Sequence, residues 1–412
     1  MTSSPGCGLS KVLRIGEHVL THYVLAPPGP PAGPRAGSPP GPKQCTTEAR
    51  ARGAASSRER RRLEEGVTMK SKGRYAFAMM VLVAAARAEA GEPGGAQASG
   101  FSGHLSLGSV FASTRTNMVS SAGFGLLKLG DAAPDSLNGQ PGARNGVLPA
   151  VAFSVRYAVP RTGTELFAGN SRGDTLQAES FLEGGVRQAI GAAGTLSLAY
   201  LYGLSVNVWA DPYATGVKRK ETTRGSQGAR LGWERVLGSA LQVQATFRNI
   251  AIDREASGDL LNLSADDVGQ LRRAGNTYEG ELRYPFTLAG VHRLTPALIY
   301  AREELQGEAM SANAYELRLG YAYRTRAFMA MLDGSIGRST HDRRNPVFRK
   351  TQADLRYAAS ATVVLRTPFG WAPFGYQRWS LFATAGYTAA DSNIDFYSAS
   401  ILDSGAGLSM EF

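Results

Sequence analysis

Large apolar side chains recur at every second position along most of residues 100–412. The cleanest run is Leu196, Leu198, Tyr200, Tyr202, Leu204, Val206 and Val208, interleaved with Thr195, Ser197, Ala199, Leu201, Gly203, Ser205 and Asn207. A period of two sends alternate residues to opposite faces of an extended strand, so the run predicts one bulky apolar face and one mostly small face. Tyr278, Leu282, Tyr284 and Phe286 alternate with Glu279, Glu281 and Arg283 in the same way. Tyr315, Leu317, Leu319 and Tyr321 alternate with Glu316 and Arg318, and Leu355, Tyr357, Val363 and Leu365 with Asp354, Arg356 and Thr362. The chain closes on Leu402, Ala406, Leu408, Met410 and Phe412, with Asp403, Gly405, Ser409 and Glu411 on the opposite face.

The pattern predicts strands near 101–113, 148–159, 162–170, 176–188, 194–208, 227–236, 239–250, 275–287, 292–303, 313–324, 326–338, 353–366, 377–388 and 400–412. That is about 14, or about 12 if the weak segments 162–170 and 326–338 fail; bacterial barrels use an even number. Short links (Pro160-Arg161, Gly238, Thr325) alternate with the long ones 114–147, 209–226, 251–274 and 339–352. Short periplasmic turns opposite long outer loops is the arrangement of a membrane barrel. Beyond residue 90 no apolar run approaches the ~20 residues of a spanning helix. A closed barrel is the other form that satisfies every backbone group in lipid. The fold class is therefore all-β: a transmembrane antiparallel up-and-down barrel over 91–412, with Tyr157, Trp233, Tyr284, Tyr300, Trp379 and Tyr387 as interfacial anchors.

The N-terminal part reads differently. Met69-Lys70-Ser71-Lys72-Gly73-Arg74 is basic, Tyr75 through Ala86 is apolar, and Ala88-Glu89-Ala90 is a small-x-small site. This predicts a cleavable export signal peptide over 69–90. Residues 1–68, rich in Pro, Gly and Arg, read as a disordered extension or as an over-extended gene start upstream of Met69.

Charge and cysteine content narrow the function. The net charge of the chain is +11, but 31 of 45 Lys and Arg and 28 of 34 Asp and Glu lie beyond residue 90, a net of +3 there. The basic pI is thus no argument for nucleic acid as a partner. Cys7 and Cys45 both precede Met69, so the barrel has no thiol for catalysis, disulfides or metal. No cofactor fingerprint occurs, and the expectation is a protein with no cofactor and no enzymatic activity.

Charged residues on the small face would line the lumen: Arg156, Glu179, Glu183, Arg187, Arg230, Arg248, Glu279, Glu281, Arg283, Glu316, Arg318, Asp354 and Arg356. They either neutralise one another in a closed interior or wall a water-filled pore that orients dipolar solutes. His104 is expected to point inward as a hydrogen-bond partner. His341-Asp342, in an outer loop, is the one candidate for a rim hydrolase. Asp253, Glu255, Asp259, Asp266 and Asp267 show no spacing of a dedicated Ca²⁺ loop.

Several stretches carry a resemblance: Phe101-Ser102-Gly103 with Leu105-Ser106-Leu107-Gly108; Asn170-Ser171-Arg172-Gly173-Asp174; Trp209-Ala210-Asp211-Pro212-Tyr213 with Gly216, Arg219, Glu221 and Thr222; Asn345-Pro346-Val347-Phe348; and Asp391-Ser392-Asn393-Ile394-Asp395-Phe396-Tyr397. Together they resemble a family of Gram-negative outer-membrane β-barrel proteins, domain of unknown function 2860, over roughly 100–412. The resemblance implies an outer-membrane address and no activity. A final strand ending in Phe412 also looks like the one by which the barrel assembly machinery reads its substrates. The expected partners are outer-membrane lipid and lipopolysaccharide, that machinery, and small hydrophilic solutes, with the barrel a monomer. Arg172, Asp174, Asp211, Arg219, Asp391 and Asp395 fall at the extracellular mouth, where they would pair across loops. The reading is a passive porin-like channel; the alternative is a closed structural or surface-interaction barrel without conductance.

Overall fold

The structure, a computed structural model, describes residues 100–122, 126–130, 132–371 and 378–412. The predicted signal peptide and the extension before it lie outside the described residues. The strands are β1 (Gly100–Arg115), β2 (Val119–Ala122), β3 (Leu127–Lys128), β4 (Arg144–Val159), β5 (Thr164–Arg172), β6 (Ser180–Ala189), β7 (Thr195–Gly203), β8 (Val206–Trp209) and β9 (Glu221–Glu234). They continue as β10 (Gln242–Ile252), β11 (Gly275–Arg283), β12 (Phe286–Leu288), β13 (His292–Leu305), β14 (Ala312–Arg324), β15 (Phe328–Asn345), β16 (Lys350–Arg366), β17 (Trp379–Ser392) and β18 (Ala399–Glu411).

All of these belong to one sheet. β7 and β8 form one interrupted wall strand, as do β11 and β12, which flank Pro285. β2 and β3 form a small hairpin that leaves the wall and pairs with β8. Fourteen antiparallel wall strands remain, and both weak segments, 162–170 and 326–338, are among them. β1 pairs with β18 from His104 opposite Glu411 to Arg115 opposite Ser400, which closes the barrel and removes its edges. Phe412 completes the seam, since its N–H donates to Gly103 O (3.0 Å) and its carbonyl accepts from Gly103 N (2.9 Å). A Cβ on Gly103 would lie 2.5 Å from Ser154 O and 2.7 Å from the Phe412 ring, so only glycine lets the last residue lie flat on the first strand.

Side-chain burial follows the predicted parity. Leu198, Tyr200, Tyr315, Leu317, Leu319, Leu402, Leu408 and Phe412 are exposed on the outside. This is the apolar band that a barrel presents to lipid. The turns at the short-linked end use left-handed residues (Arg161, Gly163, Gly191, Ala289, Gly290), as tight hairpins need.

Three expectations change. Val206 and Val208 do not continue the lipid face of the 194–208 run but are buried inside. Tyr202 stands opposite Gln227 and Val206 opposite Arg224, so β7–β8 holds one more residue than β9 across the same span. That bulge at Leu204–Ser205 reverses the parity of everything after it. The segment 339–352 is not a long loop, because β15 and β16 run on as a paired hairpin to a turn at 346–349. Trp379 is buried, not an exposed anchor; its Nε1 donates to Trp371 O at 2.7 Å and the two indoles meet edge to face.

A charge on the outer band tests this topology. Leu317→Arg in β14 is expected to lower unfolding free energy by about 2–4 kcal/mol in phospholipid vesicles. Arginine at Ser335, one register step away on the lumen face, is expected to cost well under half of that. Urea titration of the refolded protein measures both, and equal costs would mean the faces are assigned wrongly.

Candidate functional site

Strand parity turns Arg156, Glu183, Arg187, Arg230, Arg248, Glu279, Glu281, Arg283, Glu316, Arg318, Asp354 and Arg356 into the lumen, opposite to the exposed apolar residues beside them. Glu179 reaches the same space from the loop before β6, not from the wall strand predicted over 176–188. These residues pair across neighbouring and distant strands. Arg224 and Arg248 each donate to one Glu179 oxygen at 2.6 Å. Arg230 reaches Glu183 at 2.8 Å, Arg187 reaches Glu165 at 3.2 Å, and Arg356 reaches Asp174 at 2.7 Å. Arg283 makes a two-pronged contact to Glu281 at 2.5 and 2.6 Å, the strong geometry for this pair. His104 does point inward, with Nδ1 3.0 Å from Ser154 Oγ.

Exposure of the lumen charges is uneven. The Glu179 side chain, near the long-loop end, is 5% exposed and its two arginines 14%. Arg318, at mid-height in β14, is 43% exposed, and the inward Asp333 and Glu411 are exposed further toward the short turns. Glu281 beside Arg318 is only 4% exposed, and Glu165, next to a short turn, is 7%, so open and sealed charges are interleaved along the wall.

Loops make the closure. Tyr213, Leu271, Met310, Ile394, Phe396 and Tyr397 form one buried apolar cluster, with Met118, Leu137, Leu261, Val347 and Phe348 packed against it. Six connections contribute, rooted all round the barrel. The loop holding Tyr213 follows the fifth wall strand and that holding Tyr397 the thirteenth, about half a circumference apart, yet their hydroxyls are 2.7 Å from each other. Asn345 Nδ2 donates to Tyr397 at 2.6 Å, Asn117 Nδ2 donates to Phe396 O at 3.0 Å, and Phe348 stacks 5.2 Å from Phe396. Burial pushes the Tyr213 hydroxyl up to about 12 and Tyr397 well above the usual phenol range, so both stay protonated and their contact carries no charge. Loops from across the barrel thus meet at the mouth in a buried aromatic cluster.

The six mouth residues do not gather into one network. Asp174 pairs with a wall arginine. Asp211 accepts backbone N–H groups of Tyr213, Gly258 and Leu260, ordering two loops. Arg219 donates to Ala214 O at 3.1 Å and Asn117 O at 3.5 Å and lies over the Trp209 ring. Asp391 accepts from Tyr357 on the outer face, Asp395 is exposed at the start of a short turn, and Arg172 bends inside. The residues that meet are the aromatic and amide members of the same stretches: Tyr213, Asn345, Phe348, Phe396 and Tyr397. Their signal was an aromatic beside a turn in each motif, at a place where a strand should already have ended.

The rim dyad is not assembled. His341 and Asp342 are successive residues of β15 and face opposite ways: His341 Nδ1 lies 3.0 Å from Ala309 O, while Asp342 takes both prongs of Arg302. Glu255 is committed to Arg273 at 2.8 Å. Burial pushes its carboxyl up, but the guanidinium outweighs this and holds it below the ordinary carboxylate range. Among the described residues no three His, Cys, Asp or Glu side chains converge as a metal site.

A closed barrel of fourteen strands with an apolar belt and a charged interior defines an outer-membrane β-barrel protein. The chain belongs to the family described as Protein of unknown function (DUF2860), whose model matches residues 100–409. No curated protein matches it in sequence. Among solved structures it is similar to the outer membrane channel DcaP of Acinetobacter baumannii, with 8% identity over 77% of this chain and 99% of that one and a TM-score of 0.40. It is also similar to the CymD monoaromatic hydrocarbon channel (8%, 76% and 89%, 0.40) and to an anion-selective porin from Comamonas acidovorans (9%, 76% and 98%, 0.33). These likenesses are too distant to carry a solute or a mechanism across.

Glu179 gives a pH signature. Burial alone would raise its carboxyl, but Arg224 and Arg248 outweigh burial and hold it at about 2, against an ordinary 4.5. A depressed carboxylate contributes fully above about 4.5 and loses that contribution as pH falls toward 2. Glu179→Gln is expected to destabilise the barrel at neutral pH by about 3 kcal/mol, since it leaves two buried arginines facing an amide. It should also flatten the acid limb between pH 4.5 and 2 in urea unfolding of the refolded protein. An unchanged acid limb would locate the acid lability elsewhere.

Proposed function

We propose that this protein is an outer-membrane channel for small hydrophilic solutes whose outer mouth is gated by its own loops. The observation that carries the reading is one lumen walled by charged side chains, some of them open (Arg318, Asp333), with loop residues meeting across its outer mouth. A wall of opposed Arg and Glu side chains favours dipolar or charged solutes over apolar ones. Arg156, Glu183, Arg187, Arg230, Glu279, Glu281, Arg283, Glu316, Arg318 and Asp354 would meet the solute in the lower lumen. Glu179, Arg248 and Arg356, all tied to the loop 173–179 directly or through its acids, would change partners when the cap lifts. The second reading is a closed structural barrel, favoured by the loop core itself, which resembles the interior of a small soluble domain in its burial.

Single-channel recording of the purified protein in a planar bilayer separates the two. The expectation is rare, brief openings for the native chain and at least a tenfold higher open probability for Tyr397→Ala combined with Asn345→Ala, which removes the link across the mouth. Silence from both proteins, each shown to be folded, would sink the channel reading in favour of the structural one.

A further inference from the structure

Behind the β2–β3 hairpin the lumen holds a cavity of about 70 Å³ that the charged lattice does not reach. Its walls are Val110 and Leu148 from β1 and β4, Leu127 and Leu129 from the hairpin, Val206 from β8 and Ile401 from β18. Val110, Leu127, Leu129, Leu148 and Val206 are all buried, so the wall of the cavity is built from core residues rather than from an outer surface. The bulge at Leu204–Ser205 makes it, because the reversed parity swings Val206 and Val208 in against the hairpin.

One end of this chamber is charged. Arg172, the last residue of β5, lines it together with Asp403 of β18. Arg172 Nε is buried with no hydrogen-bond partner, and among the described residues its side chain makes no hydrogen bond or ion pair. Most of the lumen arginines discussed above have a carboxylate within bonding distance. A buried guanidinium without a bonded acceptor is less favourable than one that has an anion, and its planar fork suits a carboxylate. Asp403 lies close enough to moderate the positive potential, but no ion pair joins the two, so the guanidinium at the cavity wall is not neutralised by a bonded carboxylate.

We propose that this chamber is a binding site for a small apolar monocarboxylate, its carboxylate taken by Arg172 and its hydrocarbon part by the Val110–Leu148–Val206 wall. The chemistry selects the class. A single cation beside Asp403 favours one negative charge over two, the mainly apolar lining, with four hydroxyls (Thr114, Thr175, Ser180, Ser205), favours a hydrocarbon part over a sugar, and the volume suits a short acyl chain. The site is separate from the ion-pair lattice of the proposed pore, and its occupancy does not require that the barrel conduct.

The test is calorimetric titration of the full chain in detergent with acetate, butyrate, isovalerate and hexanoate at neutral pH, with butyramide as the neutral counterpart of butyrate. Saturable one-site binding that is tightest among the four-to-six-carbon acids, and at least tenfold weaker for butyramide, is the expected result. Arg172→Gln should weaken binding at least tenfold. Ala112→Leu, which fills the chamber and leaves Arg172 in place, should do the same, and it keeps the test open if Arg172→Gln does not fold. Binding that is unaltered in either folded variant overturns the site, as does no binding to folded native protein. Because heat is read without current, a silent barrel that binds butyrate would retire the channel and leave this inference standing.

Discussion

No backbone N–H or C=O may face lipid without a partner, and the seam between β1 and β18 is where this chain meets that demand. Thirteen of the wall pairings join strands that are neighbours along the chain. The fourteenth joins residues some 300 positions apart, and it depends on Gly103 leaving room for Phe412. Once it forms, each wall strand has two partners, the apolar face can turn outward at no hydrogen-bonding cost, and the polar face is enclosed. The lumen, the loop cap and the cavity all exist only inside that ring.

The enclosed space is filled by two different solutions to burial. Along the wall, open charges such as Arg318 alternate with sealed ones such as Glu281 and Glu165. Toward the long loops, Glu179 is sealed between Arg224 and Arg248, and the loops bury an aromatic cluster. Sealed ion pairs are expensive to desolvate and are not a natural source of stability on their own. Here Asp174 and Glu179 of one short loop bind arginines of three separate wall strands. That loop ties those strands together from inside the lumen.

The cap also explains why charge was a poor guide to the mouth. Loop residues far apart in sequence meet there through Tyr213, Phe348, Phe396 and Tyr397, whereas Asp211 and Arg219 spend their hydrogen bonds on backbone groups that hold individual loops in shape. An acid in a loop next to a turn most often serves that turn. The hydroxyl and ring of a tyrosine can do both jobs, filling a core and closing a polar contact across it.

Alternation alone was enough to read the fourteen strands, their outward and inward faces, the short-turn and long-loop ends, and the inward direction of twelve charged residues. Those properties are local: period two decides a face wherever pairing is unbroken. The same sequence could not reveal that Val206 and Val208 point inside, because a bulge is visible only as a mismatch with the partner strand. Nor could it reveal that β15 and β16 extend as one hairpin, that His341 and Asp342 part to opposite faces, or that Tyr213 touches Tyr397. Those facts depend on register and on which loops are rooted across from one another. Both are set by ring closure, a property of the whole chain and of no segment within it.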